Sequence, residues 1–160
     1  MRIGIGYDVH RFSGKGPIRL GGIDLPNAKG LSGHSDADVL LHAIADALFG
    51  AAGLPDIGEQ FPSSDKRYRA VDSAVFVKTA ATQIRRLGWQ VANVDATVIA
   101  DRPKLTGHKA RMAQAIGKLL SVPASCVSVK AKTTEGCCPG KQGIVAQAVV
   151  LLKPLRKKGR

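Results

Sequence analysis

Asp8 and His10 stand two residues apart in Arg2-Ile3-Gly4-Ile5-Gly6-Tyr7-Asp8-Val9-His10, and a third potential ligand, His42, follows the run His34-Ser35-Asp36-Ala37-Asp38. A carboxylate with two imidazoles suits a borderline divalent cation such as zinc. Three protein ligands would leave a fourth position open, as catalytic rather than structural sites do. The alternation of the first segment reads as a strand, so Asp8 and His10 project from one face, about 6.6 Å apart along the backbone. An Asp-x-His pair at a strand end is also common turn chemistry, and it is His42 that raises the metal reading above it.

Two further segments hold groups that could meet phosphate. Asp101-Arg102-Pro103-Lys104-Leu105 follows a predicted strand end, where ligands bind in α/β sheets, and Lys104 offers a compact cation. A simple basic turn is the competing reading. Lys130-Ala131-Lys132-Thr133-Thr134-Glu135 ends a strand with two hydroxyls and a carboxylate, groups that could grip phosphate oxygens and magnesium. Thr-Thr is equally ordinary strand composition.

These residues need elements to position them. A helix is predicted over 36–52, ending at Gly53, with Ser35 as its cap and Asp38 completing an acidic capping box. Val39, Leu40, Ala43, Ile44, Ala47 and Leu48 form its apolar stripe, so His42 lies beside buried surface, where a satisfied core histidine is the alternative to a ligand. Asp38 and Asp46, each one turn from His42, either orient its imidazole or merely complement the helix start. Beyond the first strand, the pattern predicts a short strand over 18–25 and an ordered polar loop over 54–69. A helix over 71–87, a strand over 90–100, a helix over 106–120 and strands over 125–134 and 143–152 follow. Helices alternating with strands, then two strands in succession, imply an α/β (α+β) class fold, a mixed β-sheet with helices packed on one face.

The 160 residues suit one domain over 1–153, followed by a basic tail, 154–160, whose composition reads as disordered. A net charge of +12 steers the chain toward anions, either a polyanion or a small polyphosphate. Interleaved aromatics and helix-turn-helix or RNA-recognition signatures are missing, so no nucleic-acid partner is expected. No stretch reads as a membrane span or signal peptide, and Cys126, Cys137 and Cys138 read as free thiols in a reducing cytoplasm.

Taken together, Arg2 to His10, Gly33-His34-Ser35-Asp36-Ala37-Asp38, Asp56-Ile57-Gly58, Asn93-Val94-Asp95-Ala96-Thr97, Pro103-Lys104 and Thr133-Thr134-Glu135 stand in a distinctive order and spacing. Over nearly all of residues 1–153 the chain resembles the 2-C-methyl-D-erythritol 2,4-cyclodiphosphate synthases of non-mevalonate isoprenoid synthesis.

That resemblance implies a homotrimer with active sites at subunit interfaces, acting on 4-diphosphocytidyl-2-C-methyl-D-erythritol 2-phosphate. The 2-phosphate attacks the β-phosphorus, CMP leaves, and the cyclic diphosphate forms. The resemblance makes Asp8, His10 and His42 zinc ligands and Glu135 the holder of magnesium; Asp8, Val9 and His10 also belong to the substrate site. His34 and Ser35 take the substrate's phosphate end, and His34 and Thr133 are the transition-state stabilisers. Asp56, Ile57 and Gly58, with Phe61, Pro62, Ser63, Ser64 and Asp65, match the methylerythritol and ribose contacts. Ala100, Asp101, Arg102, Pro103, Lys104, Leu105 and Thr106 match the cytidine diphosphate pocket, together with Lys132, Thr133, Thr134 and Glu135. The chain departs from the family after Glu135: its 136–143 segment is about two residues shorter. There Lys141 is the nearest stand-in for an arginine that, with a phenylalanine, lines a cavity on the trimer axis. Ser63 replaces a frequent aspartate and Lys132 a frequent threonine.

Overall fold

The computed structural model describes residues 1–14, 16–26, 30–33, 35–136 and 142–155. In chain order the elements are β1 (Arg2–Arg11), β2 (Ile18–Leu20), β3 (Ile23–Leu25), α1 (Val39–Ala52), α2 (Ile57–Gln60), α3 (Ala74–Arg86), β4 (Trp89–Ile99), α4 (Lys109–Leu120), β5 (Val127–Lys132) and β6 (Gly143–Pro154). Four strands form one sheet in the order β1-β6-β4-β5. In it β6 runs antiparallel to both neighbours and β4 parallel to β5. This is the mixed sheet with helices on one face that the sequence implies, because α1 packs on β1 and β6, α3 on β4 and α4 on β5.

Alternation explains the two faces. Gly4 and Gly6 of β1 turn toward α1 with Ile144, Ala146, Ala148, Val150 and Leu152 of β6 and Val94, Ala96 and Val98 of β4, all buried. The other face is open, and on β1 it is apolar: Ile3 is 71% exposed, Ile5 61%, Tyr7 61% and Val9 53%. Rather than presenting one stripe, α1 buries eleven of its fourteen residues, because the sheet, β2 and α3 surround it.

The predicted strand over 18–25 is a hairpin instead, β2 pairing with β3 across Gly21 and Gly22. Both glycines have positive φ, 61° and 76°, as a tight turn between twisted strands requires. The 54–69 loop is ordered as expected, but it contains α2 and a 3-10 turn at Lys66–Tyr68. A second 3-10 turn, Ala124–Cys126, takes the predicted start of β5. The basic tail from Arg156 onward lies outside the described residues, as do Cys137 and Cys138.

Ser35 is not the helix cap. That role belongs to Asp38, whose fully buried carboxylate accepts from Leu41 N at 3.0 Å and also from Gly21 N at 2.8 Å and Gly22 N at 2.7 Å. The Asp38 carboxylate thus clamps the hairpin turn onto the start of α1; Asp38 meets His42 through the helix bond from His42 N to the Asp38 carbonyl at 3.0 Å, and not at the imidazole. Replacing Asp38 with alanine would leave three backbone N–H groups without their acceptor. We expect Asp38→Ala to destabilise the protein by about 3 kcal/mol, measured as a lowered midpoint in urea at unchanged slope.

Candidate functional site

Near the end of β1, Asp8 and His10 share the helix-facing side of the strand with Gly4 and Gly6, and the first turns of α1 bring His42 against them. Asp8 Oδ2 lies 2.9 Å from both His10 Nε2 and His42 Nδ1, and the two nitrogens are 3.1 Å apart. Three donor atoms therefore face one point, and they are the group among the described residues able to hold a metal ion. The triangle is the size an ion needs, since ligands at about 2.0–2.2 Å in tetrahedral array stand about 3.4 Å apart.

The outer contacts also suit ligation. His10 Nδ1 lies 2.6 Å from the Ser32 carbonyl, an acceptor that can only take a proton, so its Nε2 lone pair is left for the shared point. His42 Nε2 meets Ser35 Oγ at 3.0 Å and Ser73 Oγ at 2.9 Å. Neither Asp38 nor Asp46 orients this ring: Asp46 Oδ1 instead accepts from Ile57 N at 3.3 Å. Ser73, fully buried at the start of α3, was not signalled by the sequence. A serine there reads as an ordinary helix cap, yet its side chain makes no cap hydrogen bond and turns inward.

Burial alone would raise the Asp8 pKa, but the hydrogen bonds and charges of His10 and His42 outweigh it and hold the carboxyl well below the usual range. For His10, burial works to lower the pKa, while the Asp8 hydrogen bond and charge and the Ser32 carbonyl raise it above the ordinary 6.5. A bound cation needs the lone pair that a proton occupies below that raised value. Metal affinity is therefore expected to fall as pH drops through it, with Asp8 remaining ionised. Titrating the metal-free protein with zinc in weak buffer should release more protons at pH 6.5 than at about pH 9. Equal release at both would contradict this linkage.

The three ligands head an open cleft of about 440 Å³, lined also by Tyr7, Gly33, Ser35, Asp46, Asp56, Ile57, Gly58, Phe61, Ser63, Tyr68 and Phe76. The volume suits a small molecule. Asp56 caps α2 through Glu59 N at 2.9 Å. Phe61 forms one wall, its ring 4.5 Å from Phe76 and 5.1 Å from Tyr68, and the Phe76 ring lies 5.6 Å from that of His42. Asp65 caps the 3-10 turn through Arg67 N at 2.9 Å; Pro62 and Ser64 lie in the same loop but are not among the cleft-lining residues. His34 and Lys141 lie outside the described residues.

A second cluster forms elsewhere. Ala100 N donates to the Lys132 carbonyl at 3.0 Å, and Asp101 Oδ1 accepts from both Thr134 N and Thr134 Oγ at 2.9 Å. Thr133 Oγ in turn donates to Glu135 Oε1. The 100–106 and 132–135 segments are thus joined at the tip of the β4–β5 pair, with Leu105 buried in the core. None of these residues lines the cleft. Across the sheet Asp8 pairs with Ala146, Ala146 with Val98 and Val98 with Ala131, so the clusters share one end of the sheet but occupy opposite edges. Three strand spacings separate those edges, roughly 14 Å.

Comparison with known proteins gives the lineage. Residues 1–153 match the model of the YgbB family. The 2-C-methyl-D-erythritol 2,4-cyclodiphosphate synthase of Syntrophomonas wolfei is 51% identical over 155 residues, covering 96% of this chain and 99% of the relative. A 2C-methyl-D-erythritol-2,4-cyclodiphosphate synthase solved in its CDP-bound form superposes with a TM-score of 0.88 at 37% identity, over 95% of this chain and all of the other. The Plasmodium falciparum IspF solved as a CDP complex gives 0.83 at 34% identity, covering 97% of each chain. With a family match through residue 153 and relatives of this identity and coverage, the chain belongs to the YgbB family.

Proposed function

We propose that the protein is a 2-C-methyl-D-erythritol 2,4-cyclodiphosphate synthase, a phosphorus–oxygen lyase of non-mevalonate isoprenoid synthesis working in the cytoplasm. The observation that carries this reading is the convergence of Asp8, His10 and His42 at the head of a cleft that also contains Asp56–Gly58, Phe61 and Ser63, in a chain of which 96% aligns with such an enzyme. In the reaction an oxygen of the substrate's 2-phosphate forms a bond to the β-phosphorus. The bond from that phosphorus to the bridging oxygen breaks, and CMP departs with that oxygen.

Asp8, His10 and His42 would hold zinc and Glu135 magnesium. Bound there, the cations would neutralise charge on the diphosphate oxygens as Lewis acids. The chain's own work is positioning, which an intramolecular phosphoryl transfer needs above all. Asp56, Ile57 and Gly58, together with Phe61 to Asp65, would make the methylerythritol and ribose contacts. His34 and Ser35 would hold the substrate's phosphate end. Ala100 to Thr106 and Lys132 to Glu135 would receive the cytidine diphosphate, and His34 and Thr133 would stabilise charge in the transition state. No helix among the described residues is long and apolar enough to cross a membrane.

The opposite-edge placement of the two clusters supports a ring, in which the cleft at the β1 edge of one subunit would be completed by the β5 edge of the next. Such head-to-tail contacts would close as the homotrimer that the resemblance implies, and the exposed Ile3, Ile5 and Val9 would line its inner, sheet-covered axis. The single unit over 1–153 would form each subunit.

The test is CMP release from 4-diphosphocytidyl-2-C-methyl-D-erythritol 2-phosphate by purified protein. It is run before and after chelation, with zinc and magnesium restored, and light scattering reports the assembly. Metal-dependent CMP with a matching cyclic diphosphate from a trimer is the expected result. Folded, metal-loaded protein that turns nothing over would instead be a noncatalytic metal-binding oligomer.

A further inference from the structure

The His42 ring must present a lone pair, not a proton, at Nδ1 if it is to ligate a metal, yet Asp8 Oδ2 stands 2.9 Å from that nitrogen and attracts a proton to it. Something at the other end of the ring has to favour the opposite tautomer. Ser73 does so by a count of hydrogens. A serine hydroxyl carries one proton, and Ser73 Oγ donates it to the Asp36 carboxylate oxygen Oδ1. Ser73 Oγ therefore has only lone pairs for His42 Nε2, 2.9 Å away, and for Ser35 Oγ, 3.2 Å away; with the Ser35 proton turned to Ser73, Ser35 Oγ, 3.0 Å from Nε2, also accepts, and this arrangement favours the N–H at Nε2. Its Nδ1 lone pair then faces Asp8 and His10.

Asp36 is itself held. Arg19 Nε lies 3.1 Å from Asp36 Oδ2, while the same guanidinium reaches Asp24 at 3.3 Å and Asp72 at 3.2 Å. The Asp36 side chain is 18% exposed and Ser73 is fully buried, so water does not readily replace either partner.

We propose that Asp36 and Ser73, backed by Arg19, are positioning residues that hold His42 in its Nε2–H form and aim Nδ1 at the metal. The chain from guanidinium to carboxylate to hydroxyl to imidazole thus reaches the metal site from the β2–β3 hairpin. This rests on the reading of Asp8, His10 and His42 as a metal site, not on the identity of the substrate.

The experiment measures zinc affinity by chelator competition, without turnover, in wild type, Ser73→Ala and Asp36→Asn. The visible spectrum of the cobalt-loaded proteins and the melting temperature of the metal-free ones are recorded alongside. Losing the Ser73 hydroxyl should weaken zinc about 10–100-fold, the range found for outer partners of ligating histidines, and alter the cobalt bands. Asp36→Asn should act in the same direction. Its amide can donate to Ser73 and so free the serine proton to point at Nε2, which favours the wrong tautomer. Should Ser73→Ala fail to fold, Asp36→Asn, nearly the same shape, decides. Zinc affinity and cobalt spectrum unchanged in the folded variants would overturn the proposal. Wild type that binds no zinc would overturn the metal site itself, a separate outcome.

Discussion

Removing the His42 side chain is expected to abolish metal binding and catalysis together. His42→Ala leaves Asp8 and His10 alone, and two donors on one strand do not hold a cation in a site open to water. The bound-metal stoichiometry, measured by mass spectrometry of the dialysed protein, should fall close to zero. CMP release should drop by roughly three orders of magnitude or more, since the charge stabilisation supplied by the cation is lost. Thr133→Ala provides the contrast. Thr133 sits at the far edge of the sheet and touches none of Asp8, His10 and His42, so that variant should keep its zinc and slow the chemical step, by about 100-fold. Full activity in metal-free His42→Ala protein would overturn the metal assignment.

Gly6→Ala is expected to be, with Gly4→Ala, among the most damaging additions of a single methyl group at the described glycines. A Cβ at Gly6 would lie 2.0 Å from the Ala43 carbonyl oxygen and 2.7 Å from Ala47 N. Those are backbone atoms of α1, so no rotamer change relieves the clash, and the helix has to move off the strand. Because β1 carries Asp8 and His10 while α1 carries His42, the same movement separates the ligands. We expect a loss of about 3 kcal/mol or more, a large share of a stability of roughly 5–15 kcal/mol, together with weakened metal binding. Gly50→Ala is the internal control. Its Cβ would meet nothing nearer than the Ile5 carbonyl oxygen at 3.8 Å, and alanine suits a helix interior better by up to about 1 kcal/mol. Chemical denaturation of the two variants against wild type decides, and an unshifted midpoint for Gly6→Ala would contradict the packing described above.

The extent to which this was legible in the sequence follows physical lines. Alternation in Arg2 to His10 and the 3.6-residue period of α1 are local signals, and they correctly set Asp8, His10 and His42 on the elements that carry them. The glycines at positions 4 and 6 were visible as residues, but their purpose depends on Ala43, Ala47 and Ala51 standing opposite. No window of sequence contains both sides of that contact. Helix capping went astray because Ser35 and Asp38 are both good capping types; only the hairpin, which supplies Gly21 N and Gly22 N to the carboxylate, selects Asp38 and leaves Ser35 for His42. Ser73 was missed for the same reason, since its partners Asp36 and His42 lie more than thirty residues away. The hairpin itself reads as one strand in the sequence because apolar residues flank the two glycines on both sides.

Strand order has one more consequence. If the two clusters are halves of one site, as proposed, each chain carries a left half and a right half on a sheet too wide to fold one onto the other, so a solitary subunit would own two unfinished places and no finished one. In the proposed arrangement any open row of subunits always leaves a half idle at each end. Closing the row into a ring consumes both ends at once, and only then does the tally of complete sites equal the tally of chains.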